Sequence, residues 1–256
     1  MTTLFHDIIF GPVRSRRLGL SLGINLLPTG HKLCNFDCIY CECGWGEKKG
    51  QPRFNRRGDV RRLLGEKLRE MAAAGTPPDV ITFAGNGEPT IHPEFPTIID
   101  DVIALRNEIS PTSKISVLTN ATMIGRPEIR EALQRVEMNI EKLDSAFDET
   151  VRLVNNVQGS SSVAETVHNM KLFDGRLIIQ TMFLRGEYEG QRVDNTTSRE
   201  VDAWLELIHE IAPQQVMIYT LDRDTPCKTL EKIPLDELRR IAVRVEALGI
   251  PCSVAG

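Results

Sequence analysis

Val80-Ile81-Thr82-Phe83-Ala84-Gly85-Asn86-Gly87-Glu88-Pro89-Thr90 is the stretch on which the fold turns. An apolar, partly β-branched run stops at two glycines and a proline. Phe95, Ile98, Ile99 and Val102 then recur at helical spacing. A continuous apolar run is the mark of a strand buried on both faces, and a helical stripe just after it makes a β/α unit. Glycines permit backbone angles and close approaches closed to other residues. The turn between strand and helix is therefore a place where a ligand can lie against the main chain.

The same alternation extends in both directions. Further strands are expected at Leu22 to Leu27, Ile115 to Leu118, Met138 to Leu143, Leu177 to Phe183 and Val216 to Tyr219. Helical stripes fill the gaps. Val60, Leu63, Leu64, Leu68 and Met71 form one, stopped by Gly75. Ile129, Leu133 and Val136 form another, begun at Pro127, and Phe147, Val151 and Val154 a third, with Ser145 as its cap. Ser162 with Glu165 and Thr197 with Glu200 are capping-box pairs ahead of two more, and a last helix runs between Pro234 and Gly249. Six strands alternating with helices imply parallel β/α units. The expected fold is α/β, a partial (β/α)6 TIM-like barrel open on one side, because the long cysteine loop uses chain that a full eightfold barrel would need. A doubly wound open sheet has the same periodicity. Both architectures place chemistry at the carboxyl ends of the strands.

Composition narrows the class. The chain has 256 residues, 41% of them hydrophobic and 26% charged, enough apolar material for a sizeable core. No apolar run has transmembrane length and the first ten residues lack a secretory pattern, so no membrane association and a cytoplasmic location are expected. Net charge is −4, unevenly spread: residues 1–62 carry +6 and the rest −10. Arg14, Arg16, Arg17, Lys48, Lys49, Arg53, Arg56, Arg57, Arg61 and Arg62 make up the basic part. It reads as a face for an anionic substrate, a nucleic acid or an acidic electron donor, or as a solvated face.

Of six cysteines, Cys34, Cys38, Cys41 and Cys43 fall within ten residues. Clustered thiols in a reducing compartment read as metal ligands. Cys34, Cys38 and Cys41 are spaced C-x3-C-x2-C on one tight loop. A cubane cluster normally takes four thiolates, so three leave one iron open to an external ligand such as an amino acid. The competing reading is a structural zinc on Cys34, Cys38, Cys41 and Cys43 with His31 nearby, although common zinc sites use two separated ligand pairs. Polar residues at other strand ends face the same mouth: Thr119 and Asn120, Lys142, Asp144 and Ser145, Gln180 within a strand, and Tyr219, Thr220 and Asp222. Asn120 reads as a cofactor or substrate contact or a turn cap, Asp144 as such a contact or a helix cap. Gln180 reads as a contact or a satisfied interior residue. Cys227 is either a hydrogen-atom donor near the mouth or a small buried residue, and Cys252 is structural.

The C-x3-C-x2-C spacing, with Tyr40 just before the last cysteine, resembles the signature of the radical S-adenosylmethionine (SAM) superfamily. The likeness runs from about Leu22 to about Tyr219. It implies that residues 1–256 are one radical SAM domain of partial or full barrel fold. Cys34, Cys38 and Cys41 would hold a [4Fe–4S] cluster, and SAM would bind the fourth iron. One electron would then split SAM into methionine and a 5′-deoxyadenosyl radical that abstracts hydrogen from a substrate, a small molecule or RNA. A flavodoxin- or ferredoxin-like reductant is implied. Gly85, Asn86, Gly87, Glu88 and Pro89 resemble the family's glycine-glycine-glutamate motif, which binds the SAM amino group, with Asn86 as an insertion. Tyr40, Asn120, Asp144 and Gln180 are the further expected cofactor contacts. The run Ser15 to Asn25, with Gly87 to Thr90 and Lys142 to Ser145, is similar to a subgroup related to the wyosine-base synthases, which modify transfer RNA. Those enzymes carry second-cluster cysteines upstream, and no cysteine precedes Cys34 here. The alternative class is an iron–sulfur electron carrier or scaffold without SAM chemistry, which would not need the pocket at Gly85 to Glu88.

Overall fold

The computed structural model describes residues 3–15, 18–46, 53–159 and 162–256. Arg16, Arg17, Lys48 and Lys49 of the basic segment lie outside the described residues. An antiparallel pair, β1 (Ile9–Ser15) and β2 (Gly19–Ile24), opens the chain. There follow α1 (Arg57–Ala73), β3 (Val80–Phe83), a short 3-10 turn (Pro89–Ile91), α2 (Phe95–Ile109), β4 (Lys114–Thr119), α3 (Pro127–Leu133) and β5 (Met138–Lys142). Next come α4 (Asp148–Asn155), α5 (Val163–Lys171), β6 (Ile178–Met182), β7 (Leu184–Tyr188), β8 (Gln191–Asp194) and α6 (Ser198–Ile211). The chain ends with β9 (Gln215–Tyr219), β10 (Leu230–Lys232), α7 (Leu235–Glu246) and β11 (Cys252–Ala255).

Eight strands form one sheet in the order β1-β2-β3-β4-β5-β6-β9-β11. From β2 to β11 every pairing is parallel, and the sheet curls into an open half-barrel. Its six expected strands all form. Two more flank them: β1 at one edge and β11 at the other. A separate three-stranded sheet, β10-β7-β8, stands beyond the ends of β6 and β9. Among the described residues no helix is long and apolar enough to cross a membrane.

The core separates the barrel from the doubly wound alternative. Leu22, Ile24, Ile81, Phe83, Ile115, Val117, Ile179, Val216 and Ile218 alternate along their strands and belong to one buried cluster. That same cluster takes the apolar stripes of α1, α2, α3, α5, α6 and α7. Those helices therefore cover one face of the sheet, where a doubly wound fold would divide them between two. The other face carries a smaller cluster of Ile140, Ile178 and Met217 and many polar side chains. The helix stripes cover the convex face, and the concave face carries the polar side chains.

Local signals explain the element ends. Pro127 occupies the first turn of α3, and Gly75 adopts a positive φ of 68° after α1. The hydroxyls of Ser162 and Thr197 accept from the backbone N–H of Glu165 and Glu200, as the capping pairs predict. Ser145 does not cap α4, whose N-cap is Phe147. Its hydroxyl accepts from Phe147 N–H at 2.9 Å, just ahead of the helix, and donates to the buried Glu200 Oε2 at 2.6 Å.

Candidate active site at the carboxyl ends of the strands

The cysteine loop follows β2 and is gripped from two sides. On one side, Leu33 N–H donates to the Asn86 carbonyl (2.8 Å) and Glu88 N–H donates to the Leu33 carbonyl (3.2 Å). The glycine-rich turn thus runs as a short parallel strand beside the residue that precedes Cys34. On the other side the C-terminal end of α4 supplies acceptors. Asp37 N–H donates to the Asn155 carbonyl and Ile39 N–H to the Val154 carbonyl, each at 3.0 Å. Phe36, Ile39 and Tyr40 bury themselves with Val154, Met182, Leu184 and Val193. Inside the loop the Lys32 ammonium donates to Asp37 (2.7 Å) and to the Gly44 carbonyl (3.0 Å).

Cys34, Cys38 and Cys41 line one wall of a cavity of about 340 Å³. Gly85, Gly87, Glu88, Asn120, Lys142, Gln180 and Tyr219 line the rest of its polar wall. Phe5, Leu118 and Met182 add apolar surface. Strand register explains the assembly. Lys142 pairs with Gln180, and Met182 with Tyr219, so these side chains share the concave face. Among the described residues no three His, Cys, Asp or Glu side chains converge tightly enough for a single ion.

Glu88 is fully buried and accepts four bonds: from Thr90 N–H and hydroxyl, the Thr119 hydroxyl and Asn120 N–H. Burial pushes its carboxyl above the usual range, and those four donors oppose the push. Burial raises the Cys34 thiol, and raises Cys38 to about 11. Cys41 moves the other way, lowered by the adjacent Cys43 and by the Lys32 ammonium. Lys142 keeps its charge. Burial would lower it, but Asp144 at 3.6 Å, the Tyr219 hydroxyl at 3.4 Å and the Cys38 thiol outweigh that effect.

The expected residues divide. Tyr40, Gly85, Gly87, Glu88, Asn120 and Gln180 face the cavity with the three cysteines. Asn86, Pro89 and Asp144 do not line it. The Asn86 amide is taken up by the N–H and carbonyl of Phe5 and the carbonyl of Pro28, each at 2.8 Å, so it straps the N-terminal segment to the site. Pro89 starts the buried 3-10 turn. The Asp144 carboxylate is consumed by Met182 N–H, the Tyr40 hydroxyl and the Asn155 amide, and borders a small recess of about 20 Å³. Cys43 lines the cavity and points its thiol at the Gly85 carbonyl. Cys227 is buried beside Thr229 and the Glu187 carbonyl, outside the cavity wall. Arg57 and Arg61 both bind Asp101 of α2, and Arg62 binds Asp59 and Glu66, so these three charges are neutralised within the protein.

Sequence reading missed Lys32, Asn155, Phe5 and Arg223. Asn155 carried one faint signal: the pair Asn155-Asn156 ends α4, and Asn156 takes the left-handed conformation asparagine tolerates. Phe5 carried none, since only the folded chain brings it over the mouth.

The profile of the radical SAM superfamily matches residues 31–197. The UPF0026 protein slr1464 of Synechocystis is 32% identical over 240 residues, covering 91% of this chain and 80% of that protein. The GTPase Obg of Brachyspira hyodysenteriae is 26% identical over 243 residues, covering 93% of this chain, while the chain spans 33% of that protein. Two solved structures share the fold. A radical SAM methyltransferase from Sphaerobacter thermophilus superposes with a TM-score of 0.68 at 17% identity, over 92% of this chain and 65% of that one. TYW1 with a lysine-pyruvate adduct bound gives 0.64 at 15% identity, over 89% and 73%.

Proposed function

The chain belongs to the radical SAM superfamily, whose enzymes use a [4Fe–4S] cluster and S-adenosylmethionine, and from that premise we propose that Cys34, Cys38 and Cys41 hold the cluster, that SAM fills the cavity beside them, and that the enzyme abstracts hydrogen from a substrate entering from the open side. The observation that carries this reading is the shared wall: three thiols and the Gly85-to-Glu88 turn face one cavity, and the Leu33 bridge couples the two segments. Three sulfurs, with the Cys43 thiol turned to a carbonyl, fit a cubane with one open iron. When bound and reduced, the cluster supplies the electron that splits SAM into methionine and a 5′-deoxyadenosyl radical.

The chain's own part is to orient and to exclude water. Glu88, fixed by four donors, is the acceptor for the SAM ammonium. Phe5, Leu118, Met182 and the ring of Tyr219 keep water from a reactive intermediate. Lys32 sets a positive charge behind Cys41, and Lys142 another near Cys38. A flavodoxin- or ferredoxin-like protein supplies the electron.

Electron paramagnetic resonance of the reconstituted, reduced protein tests the reading. Adding SAM is expected to change the cluster signal, and Glu88→Ala is expected to demand several-fold more SAM for the same change. A signal indifferent to saturating SAM would contradict it.

A further inference from the structure

Two of the three thiols have a side-chain N–H donor, and the two donors come from different parts of the chain. The Asn120 amide after β4 lies 3.6 Å from Cys34 Sγ. The Asn155 amide, at the end of α4, lies 3.4 Å from Cys38 Sγ. Asn155 is the more constrained of the two. It is 1% exposed, and its amide nitrogen also donates to Asp144 Oδ2 at 2.7 Å and reaches the Tyr40 hydroxyl at 3.2 Å. Asp144 is itself held by Met182 N–H at 2.9 Å. The short bond to Asp144 takes one N–H and fixes the amide, leaving the second N–H directed toward Cys38 Sγ and the Tyr40 hydroxyl.

We propose that Asn155 sets the reduction potential of the cluster through its N–H to the Cys38 sulfur. The proposal rests on Cys34, Cys38 and Cys41 being the cluster ligands. Reduction adds negative charge that spreads onto the sulfurs. A donor fixed at a sulfur stabilises that charge, and hydrogen bonds to the sulfurs are among the factors that tune iron–sulfur potentials. Buried surroundings strengthen the effect, since the local dielectric is low. Asn155 is a positioning residue: it touches a ligand sulfur and no reacting atom.

Two roles of Asn155 can be separated by substitution. Its backbone carbonyl grips the loop through Asp37 N–H, and any residue keeps that grip. Only the side chain donates to sulfur. Asn155→Leu removes the donor with little change of size, and Asn155→Ser removes it with less bulk. Thr150→Val is the control: it breaks the 2.6 Å bond from α4 to Glu200 and leaves the sulfur's surroundings alone.

The test is a redox titration of the reconstituted cluster, followed by electron paramagnetic resonance, on wild type and the three variants. Both Asn155 variants are expected to titrate at more negative potential than wild type, with Thr150→Val at the wild-type value. At a fixed potential the ratio of reduced to oxidised cluster should fall by up to about tenfold, which for one electron is about 59 mV. An unchanged midpoint in the Asn155 variants overturns the proposal, as does an equal shift in Thr150→Val. So does failure of both Asn155 variants to hold a cluster that wild type holds, which would make Asn155 a structural clamp only. A wild type that assembles no cluster would instead strike the ligand assignment beneath the proposal.

Discussion

The carboxyl group of Glu141 lies fully buried in β5, in register with Ile179 and so on the helix-covered face. It receives one bond, from Asn139 Nδ2 at 2.7 Å. Glu141 Oε2 and Asn139 Oδ1 find no partner among the described residues. Burial pushes this carboxyl from 4.5 up to about 8, with Glu88 adding to the rise. The folded protein therefore keeps a proton that the unfolded chain releases. The resulting stability is complete below about pH 4.5 and is lost as pH climbs toward 8, at no more than about 1.4 kcal/mol per unit. Glu141→Gln should remove that slope, because an amide has no proton to release and can donate to Asn139 Oδ1. Urea midpoints at pH 5, 6, 7 and 8 check it: the wild type should fall relative to the variant, and parallel curves would refute the assignment. Nothing in the sequence marked Glu141. An acidic residue inside an apolar run looks like any strand-end polar group until its neighbours cover it. The cysteine loop was legible because its spacing is visible in the sequence.

Gly87 shows how two elements depend on one missing side chain. Its φ is +136°, and a Cβ there would overlap the Leu33 carbonyl oxygen. Gly85, at φ +123°, would set a Cβ 2.6 Å from Asn25 Oδ1. The glycine-rich turn is thus built for contact with the cysteine loop as much as for a ligand. Gly87→Ala should cost at least ~2 kcal/mol from strained backbone and overpacking together. Because the contact lies one residue before Cys34, it should also lower the iron content after reconstitution. Denaturant unfolding and iron analysis measure both, and a variant equal to wild type in each would refute the coupling. At this scale the strands β2 to β6 and β9 were readable, since Ile and Val runs and well-placed turn residues agree on them. The edges were not. β1 and β11 are only partly buried, and β7, β8 and β10 are short and rich in charged residues, so none carries a long apolar run. The role of α4 was hidden for another reason: its grip on the loop uses backbone carbonyls, which sequence does not display.

For the molecule as a whole, one curved sheet divides the labour. Its convex face is sealed by six helices, and its concave face gathers strand-end side chains around the thiols. Within the basic first 62 residues, Arg57 and Arg61 share Asp101 and Arg62 is paired along α1. The central claim is that this cavity cleaves SAM through the three cysteines. The most direct measurement is 5′-deoxyadenosine formation by protein purified without oxygen, reconstituted with iron and sulfide, reduced with dithionite and given SAM. A Cys34→Ala, Cys38→Ala, Cys41→Ala triple variant is treated identically. The account predicts deoxyadenosine from the wild type and none from the variant. No product from wild type with an intact cluster, or equal product from both proteins, would contradict it.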